Sequence, residues 1–383
     1  MRAASQRNSV SLEGGKKHVL TSLKMKLSTY LTRLAKELCP PQRRLLSFAF
    51  KIIQGTKVSI VMTVIVSLLI AAASCTAVSY LEVSPNIRFI SGLMAASVSQ
   101  GVYVFRRQDV QEIVGCMASL AKQAEYSTHV DKGLTRVARR CMMLQRFFTI
   151  YSFLVAFTLL SPLASGGLPF PTWPHPDTWS YPHVTLAVVL VSQTIASVCA
   201  GFAYFTLWGL MLATQEACTA LFVTIGTMVE EAVTPEDLLV CVRLQVRIST
   251  AATLLNRVTS DVMVFLLSAI MVVPIQATYE FLQGNVDFFL LLSCPIIFVV
   301  FVPLCYSGQD LTDASRRVGQ KAYTADWVAG CPAYRRTCVL VMLRAARPAL
   351  ITCRGFGTMG LPFCKSALKS WFSYLNTLVG ISS

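Results

Sequence analysis

The chain has 383 residues, 54% of them hydrophobic and only 14% charged, with a formal net charge of +15 and a mean hydropathy of +0.57. That balance excludes an ordinary soluble domain, in which about a quarter of residues are charged, and points to a chain that crosses a membrane several times. The 13 cysteines lie in predicted spans or in segments assigned below to the cytoplasm, so no disulfide framework is expected, and no Cys/His spacing resembles a metal site.

In chain order, residues 1–57 are a basic head, with Lys16, Lys17, Lys24, Lys26, Arg33, Lys36, Arg43, Arg44, Lys51 and Lys57 against Glu13 and Glu37. Beside a span, such a run marks the cytoplasmic side of a membrane rather than a nucleic-acid site. It holds no apolar h-region, so no cleavable signal peptide is expected. Span 1 is predicted over 59–78, a run without charge. Span 2, at about 87–105, contains Ser91, Ser97, Ser99 and Gln100, which argue for burial among helices rather than contact with lipid. A basic, helical-looking stretch then leads to span 3, at 147–164.

The texture changes at 165–183, SGGLPFPTWPHPDTWSYPH, where five prolines and two glycines forbid a regular helix. Phe170, Trp173, Trp179 and Tyr181 suit a membrane-water interface. Span 4 covers about 184–212, and its apolar periodicity runs on through 217–228, so this helix is expected to extend beyond the bilayer. Span 5, about 262–277, is joined to span 6, 288–306, by a tight connection over 279–287 containing Gly284. Residues 58–306 thus form a six-helix membrane bundle. Residues 307–358 are again basic and partly amphipathic, with Arg316, Arg317, Lys321, Arg335, Arg336, Arg344, Arg347 and Arg354, and span 7 is predicted over 359–381.

The head and the loops after spans 2, 4 and 6 hold nearly every lysine and arginine, whereas the outward side holds Arg88 alone. By the positive-inside rule the N-terminus is cytoplasmic and the C-terminus extracellular. The expected fold is therefore an all-α membrane protein with seven transmembrane helices and a helical cytoplasmic anchor region. This orientation is opposite to that of a G-protein-coupled receptor. The sequence also lacks an Asp-Arg-Tyr-like end to span 3 and an Asn-Pro-x-x-Tyr-like end to span 7, and the loop at 165–183 has no cysteine.

The seventh span, MGLPFCKSALKSWFSYLNTLVGI, is not uniformly apolar. Ser366, Ser370, Ser373, Thr377 and Gly380 follow at spacings of four, three, four and three, which is one face of a helix, while Leu368, Phe372, Leu375 and Val379 occupy another. A hydroxyl aimed at lipid gains nothing, so this stripe is expected to face protein or water. Two uses fit it: close packing of helices through small residues, or the wall of a pore in which hydroxyls from several copies solvate a passing ion.

The run Gly308, Ser315, Ala322, Tyr323, Trp327, Tyr334, Arg335, Arg344, Ala345, Pro348, Phe356, Phe363, Leu368, Lys369, Ser373, Tyr374 and Leu375 resembles the C-terminal signature of insect odorant receptors. The outer loop from Leu168 to Trp179 is similar to the same family's Leu-Pro-x-x-x-Trp-x-Pro-x-Asp element. The resemblance implies a ligand-gated, non-selective cation channel of four subunits in the plasma membrane, with the last helix of each lining the pore. Its pore-lining residues would be Ser366, Ser370, Ser373, Tyr374, Asn376, Thr377 and Gly380, with the gate at Asn376 or Thr377, where polar side chains depart from the coreceptor's valine-like gate. The segment from Gln309 to Arg354 would be the cytoplasmic anchor where subunits touch, with Tyr323, Trp327 and Arg344 as anchor residues. The coreceptor's long insertion between spans 4 and 5 is missing, so the chain resembles a tuning subunit.

The resemblance also implies a small, volatile, mostly apolar ligand, held in the outer half of the bundle among spans 2, 3, 4 and 6. By depth, the corresponding positions include Ile90, Met94, Phe157, Leu160, Val191, Thr194, Phe289 and Leu292. Expected partners are an odorant coreceptor subunit, the volatile ligand and membrane lipid, with no nucleic acid and no cofactor. No enzymatic constellation stands at usable spacing. The rival readings are a gustatory receptor of the same fold working without the coreceptor, and a metabotropic seven-helix receptor. Gustatory relatives usually end in Thr-Tyr followed by Gln-Phe, whereas here Ser373 and Tyr374 are followed by Gly380 and Ile381.

Overall fold

A computed structural model describes residues 64–68, 80–106, 108–110, 112–113, 143, 146–147, 150–151, 153–154, 157–158, 182–284, 288–293, 295–325, 327–328 and 330–382. These all belong to the unit Thr56–Ser383. The basic head, most of spans 1 and 3, the proline-rich loop and Leu160 lie outside the described residues.

Helix α1, Tyr80–Phe105, begins ahead of the predicted span 2 and carries Pro85 in its second turn. Its inner face buries Leu93, Ala95, Ala96, Ser99, Gln100 and Val102. Ser99 and Gln100 are buried, as expected of polar groups in a span that turn away from lipid. Ser97 and Ser99 donate to the carbonyls of Leu93 and Ala95, both at 2.8 Å, so the hydroxyls are satisfied within the helix.

Helix α2 is one unbroken rod of 50 residues, Pro182–Glu231, opened by a proline whose missing N–H costs nothing at that position. At 1.5 Å per residue it is about 75 Å long, well over twice the apolar thickness of a bilayer. The expected extension of span 4 is therefore present, and it is covalently the same helix. Trp208, Met211, Leu212, Gln215, Phe222 and Ile225 are buried along it, and its most extensive partner is α6.

Helix α3, Pro235–Thr259, starts in a capping box: the Thr234 hydroxyl accepts from the Asp237 N–H, and the Asp237 carboxylate accepts from the Thr234 N–H. The Thr234 hydroxyl also donates to Asp237 Oδ2 at 2.7 Å, and that bond, followed by the one from the Thr234 N–H, holds the Asp237 carboxyl below its ordinary range. A short turn leads into α4, Met263–Leu282, which contains Pro274. This helix runs past the predicted end of span 5, taking in Tyr279 and Glu280, and the chain turns only at Gly284, whose φ of +83° suits glycine.

Span 6 is built from α5, Phe288–Ser293, a π-helical turn at Ile297–Phe301, and α6, Val302–Thr324. Pro303 has no N–H to offer the Val299 carbonyl, and the widened turn lies directly before it. No boundary separates span 6 from the anchor region: α6 continues straight into it, and Pro332–Ala345, α7, packs back on α6 and α3. Before the last helix the chain forms an antiparallel pair that the all-helical expectation did not contain, β1 at Thr352–Cys353 and β2 at Gly357–Thr358. Gly355 and Gly357, with φ of +83° and +101°, make its turn. Helix α8, Leu361–Ser382, closes the described chain.

Four helical stretches among the described residues are long and apolar enough to cross a membrane: Leu207–Glu231, Pro235–Thr259, Met263–Leu282 and Leu291–Thr324. Helices α1 and α8, the predicted spans 2 and 7, are long enough but carry more serine, glutamine or lysine.

Candidate functional site

Helix α8 has two unlike faces. Cys364 and Trp371 are buried, and Phe363, Ala367, Leu368, Leu375 and Leu378 are packed against the core, which spaces them three or four residues apart along one side. Ser366, Ser370, Ser373, Asn376, Thr377 and Gly380 are all exposed, and Tyr374 is 66% exposed. The chain's own bundle thus covers the apolar side and leaves the hydroxyl stripe open. Of the four apolar residues predicted opposite the stripe, Leu368 and Leu375 are packed, while Phe372 and Val379 point away from the core. Thr377 Oγ1 donates to the Ser373 carbonyl at 2.9 Å, which leaves its lone pairs directed outward.

The base of α8 is held tightly. Phe363 meets Phe301 edge to face, with ring centroids 5.9 Å apart, and Cys364 and Cys305 are both buried. One turn further along α6, Gly308 lies so close to the Met359 carbonyl that an added Cβ would stand 2.9 Å from it. The stripe is therefore positioned from the π-helical turn and α6, together with α4, on which α8 also packs.

The predicted ligand positions fall on α1, α2, α5 and the described residues of span 3. Ile90 and Leu292 are half-buried against the core. Met94, Phe157 and Val191 are 47%, 73% and 59% exposed, so the chain alone does not gather them inward. The Thr194 hydroxyl is used within α2, donating to the Leu190 carbonyl at 2.8 Å. Phe289 lies on α5. Tyr151 joins span 3 to this region, donating its hydroxyl to the Leu292 carbonyl and meeting Phe205 edge to face.

Sequence reasoning missed a buried ion pair at the same depth. Arg88 Nη1 lies 3.0 Å from Glu280 Oε2, with side chains only 3% and 7% exposed, and the Arg88 guanidinium also stacks over Phe89. Asn86 and Gln276, nearby on α1 and α4, are buried as well. The signal was present: Arg88 is the single base of the predicted outer side, and Glu280 is an acid close to the outer end of span 5. Counting Arg88 as a loop charge concealed that the two share a helix pair.

Among the anchor residues, Tyr323 is 69% exposed and Arg344 is exposed, while Trp327 is packed on the core and donates its indole N–H to the Tyr323 carbonyl at 3.2 Å. Tyr323 lines an open groove between α6 and α7 together with Arg316, Gly319, Gln320 and Met342. The anchor is tied to α2 by Lys321–Glu230, at 2.9 Å, and to the turn just beyond α2 by the Tyr334 hydroxyl, which donates to the Ala232 carbonyl.

This arrangement, long helices passing from an apolar bundle into a helical base and a final helix with one uncovered polar face, has counterparts. A family model described as 7tm Odorant receptor matches residues 79–372. The chain belongs to that odorant receptor family. Its fold is that of insect olfactory receptor OR5 from Machilis hrabei: the structure of that receptor in complex with eugenol superposes with a TM-score of 0.75 at 16% identity, covering 93% of this chain and 99% of that one. A second structure of OR5 from Machilis hrabei gives a TM-score of 0.68 at the same identity and coverage. No curated protein matches the chain. As an odorant receptor by family and fold, it is a membrane receptor, which fits the four membrane-length helices.

Proposed function

We propose that this chain is the tuning subunit of a ligand-gated, non-selective cation channel that binds a volatile odorant and works with a coreceptor subunit in the plasma membrane. The observation that carries the reading is the uncovered hydroxyl face of α8. A row of exposed serine, asparagine and threonine on a helix whose opposite face is buried needs water or other protein chains beside it, since lipid gives hydroxyls no partner. Several copies around an axis would supply both.

In this reading the seven spans have their N-terminus inside. Helix α3, although apolar enough to cross a membrane, belongs to the cytoplasmic base: it packs on α7, and it exposes Arg243 and Arg247. The exposed Arg316, Arg317, Arg335, Arg336 and Arg347 of α6, α7 and the turn after it then face the anionic inner leaflet. The odorant occupies the outer half of the bundle near Ile90, Thr194 and Leu292, a region that also holds the Arg88–Glu280 pair. Gating is a population shift: the odorant must bind the open arrangement better than the closed one by as much as it moves the equilibrium.

The test is calcium entry in cells expressing this chain with and without a coreceptor, against a panel of volatiles. Entry is expected only with the coreceptor present. Entry from this chain alone would favour a gustatory-type channel, and responses that need a G protein and no coreceptor would refute the channel.

A further inference from the structure

Residues 346–360 connect α7 to the base of α8, and they are gripped from two sides. On one side, α6 holds them: Ser315 Oγ accepts from the Ala349 N–H at 2.9 Å, Thr312 Oγ1 donates to the Ala349 carbonyl at 3.2 Å, and Gly308 abuts Met359. On the other side, the corner between α3 and α4 holds the hairpin. Asn256 Oδ1 accepts from both the N–H and the hydroxyl of Thr352, at 2.7 and 3.0 Å, and the Ser260 carbonyl accepts from the Arg354 N–H at 3.2 Å.

Asp261, in that corner, divides its two oxygens. Oδ1 takes Arg354 Nη1 of the hairpin at 3.0 Å. Oδ2 takes Arg106 Nη2 at 3.1 Å, and Arg106 also donates to the Arg257 carbonyl. Arg106 stands immediately beyond Phe105, the last residue of α1. One carboxylate therefore joins the inner end of the predicted second span to the loop that delivers the chain into α8.

The side chains of Asp261, Arg106 and Arg354 are 43%, 33% and 77% exposed. At that exposure an ion pair adds little to stability, so a structural reason for the carboxylate is weak. What the bridge does supply is a fixed spatial relation. We infer that Asp261 is a positioning residue that couples movement of the inner end of α1 to the hairpin and so to the base of α8. Calling the result gating rests on the channel reading given above; the mechanical link does not.

The experiment is a double-mutant cycle on the purified full chain, read by amide hydrogen exchange. Arg106→Ala does not touch the hairpin directly, yet it is expected to speed exchange at the Thr352–Gly360 amides by about two- to fivefold, the range set by an ion pair of this exposure. Asp261→Asn is expected to do the same, and adding Arg106→Ala to it should change the hairpin no further. Protection across α4 serves as the control for folding. Hairpin exchange that is unmoved by Arg106→Ala, or effects that simply add, would overturn the link.

In a second arm, calcium entry is measured in cells co-expressing a coreceptor, with a panel of volatile phenols and terpenes headed by eugenol. Both variants should raise the half-maximal concentration by the same two- to fivefold at unchanged surface expression. Normal sensitivity in both would remove the gating role. If the unmodified chain admits no calcium with any volatile, the channel reading fails, while the exchange cycle still decides the bridge.

Discussion

The Arg88–Glu280 pair sits where neither charge has water to fall back on. Taking one partner away leaves the other buried and uncompensated, which costs about 3–5 kcal/mol in comparable settings, whereas replacing both with apolar groups of similar volume is often neutral or better. Arg88→Leu and Glu280→Leu alone should therefore each lower the thermal unfolding temperature of the purified chain sharply, and the double variant should recover most of the loss. Two equal, additive losses would mean that the charges do not meet. Both residues were visible in the sequence as isolated charges in an otherwise uncharged outer region. What the sequence could not give was their contact, because it depends on α4 continuing to Leu282 instead of ending near Ala277. The hydroxyl stripe of α8 shows the opposite case. Its membership follows from spacing alone, and each of its five residues is exposed, although Lys365, Lys369, Phe372 and Val379 are exposed beside them.

Elements that carry their own signals can be read from the sequence, and elements made by contact cannot. The apolar rhythm continuing past Leu212 is a local feature and was legible, whereas α3, whose capping pair Thr234 and Asp237 is equally local, was not predicted. The π-helical turn and the hairpin at 352–358 arise from Pro303, Gly355 and Gly357 in a setting that no window of sequence describes. Gly308 illustrates the dependence. In sequence it is one glycine within an amphipathic helix; in the fold it lets α6 approach the Met359 carbonyl. Gly308→Ala should cost about 1–3 kcal/mol through overpacking, despite alanine's better helix propensity. The loss should appear as faster hydrogen exchange in residues 359–364, with the outer part of α4 unchanged. A variant as stable as the parent would mean that the helices separate without cost, and that α8 is held elsewhere.

At the scale of the whole molecule, orientation is the claim on which the pore assignment turns. Among the described cysteines Cys331 is exposed, whereas Cys338 and Cys353 are buried, and burial pushes the Cys353 thiol up to about 11. A higher pKa means less thiolate at neutral pH, so Cys353 should alkylate slowly and Cys331 readily. A membrane-impermeant maleimide is expected to leave Cys331 unlabelled on intact cells and to label it after permeabilisation, with Cys331→Ser removing that signal. Labelling of Cys331 on intact cells would invert the topology. The 50-residue α2 adds a constraint of its own. Its outer and inner portions share one rotational phase, so a single residue inserted between them would turn everything downstream by about 100° and advance it by about 1.5 Å. The aromatic side at Trp208 and the anchor-facing side at Ile225 cannot be re-registered independently. Changes of length in such a receptor must be absorbed in its turns, such as 232–234, and never within the rod.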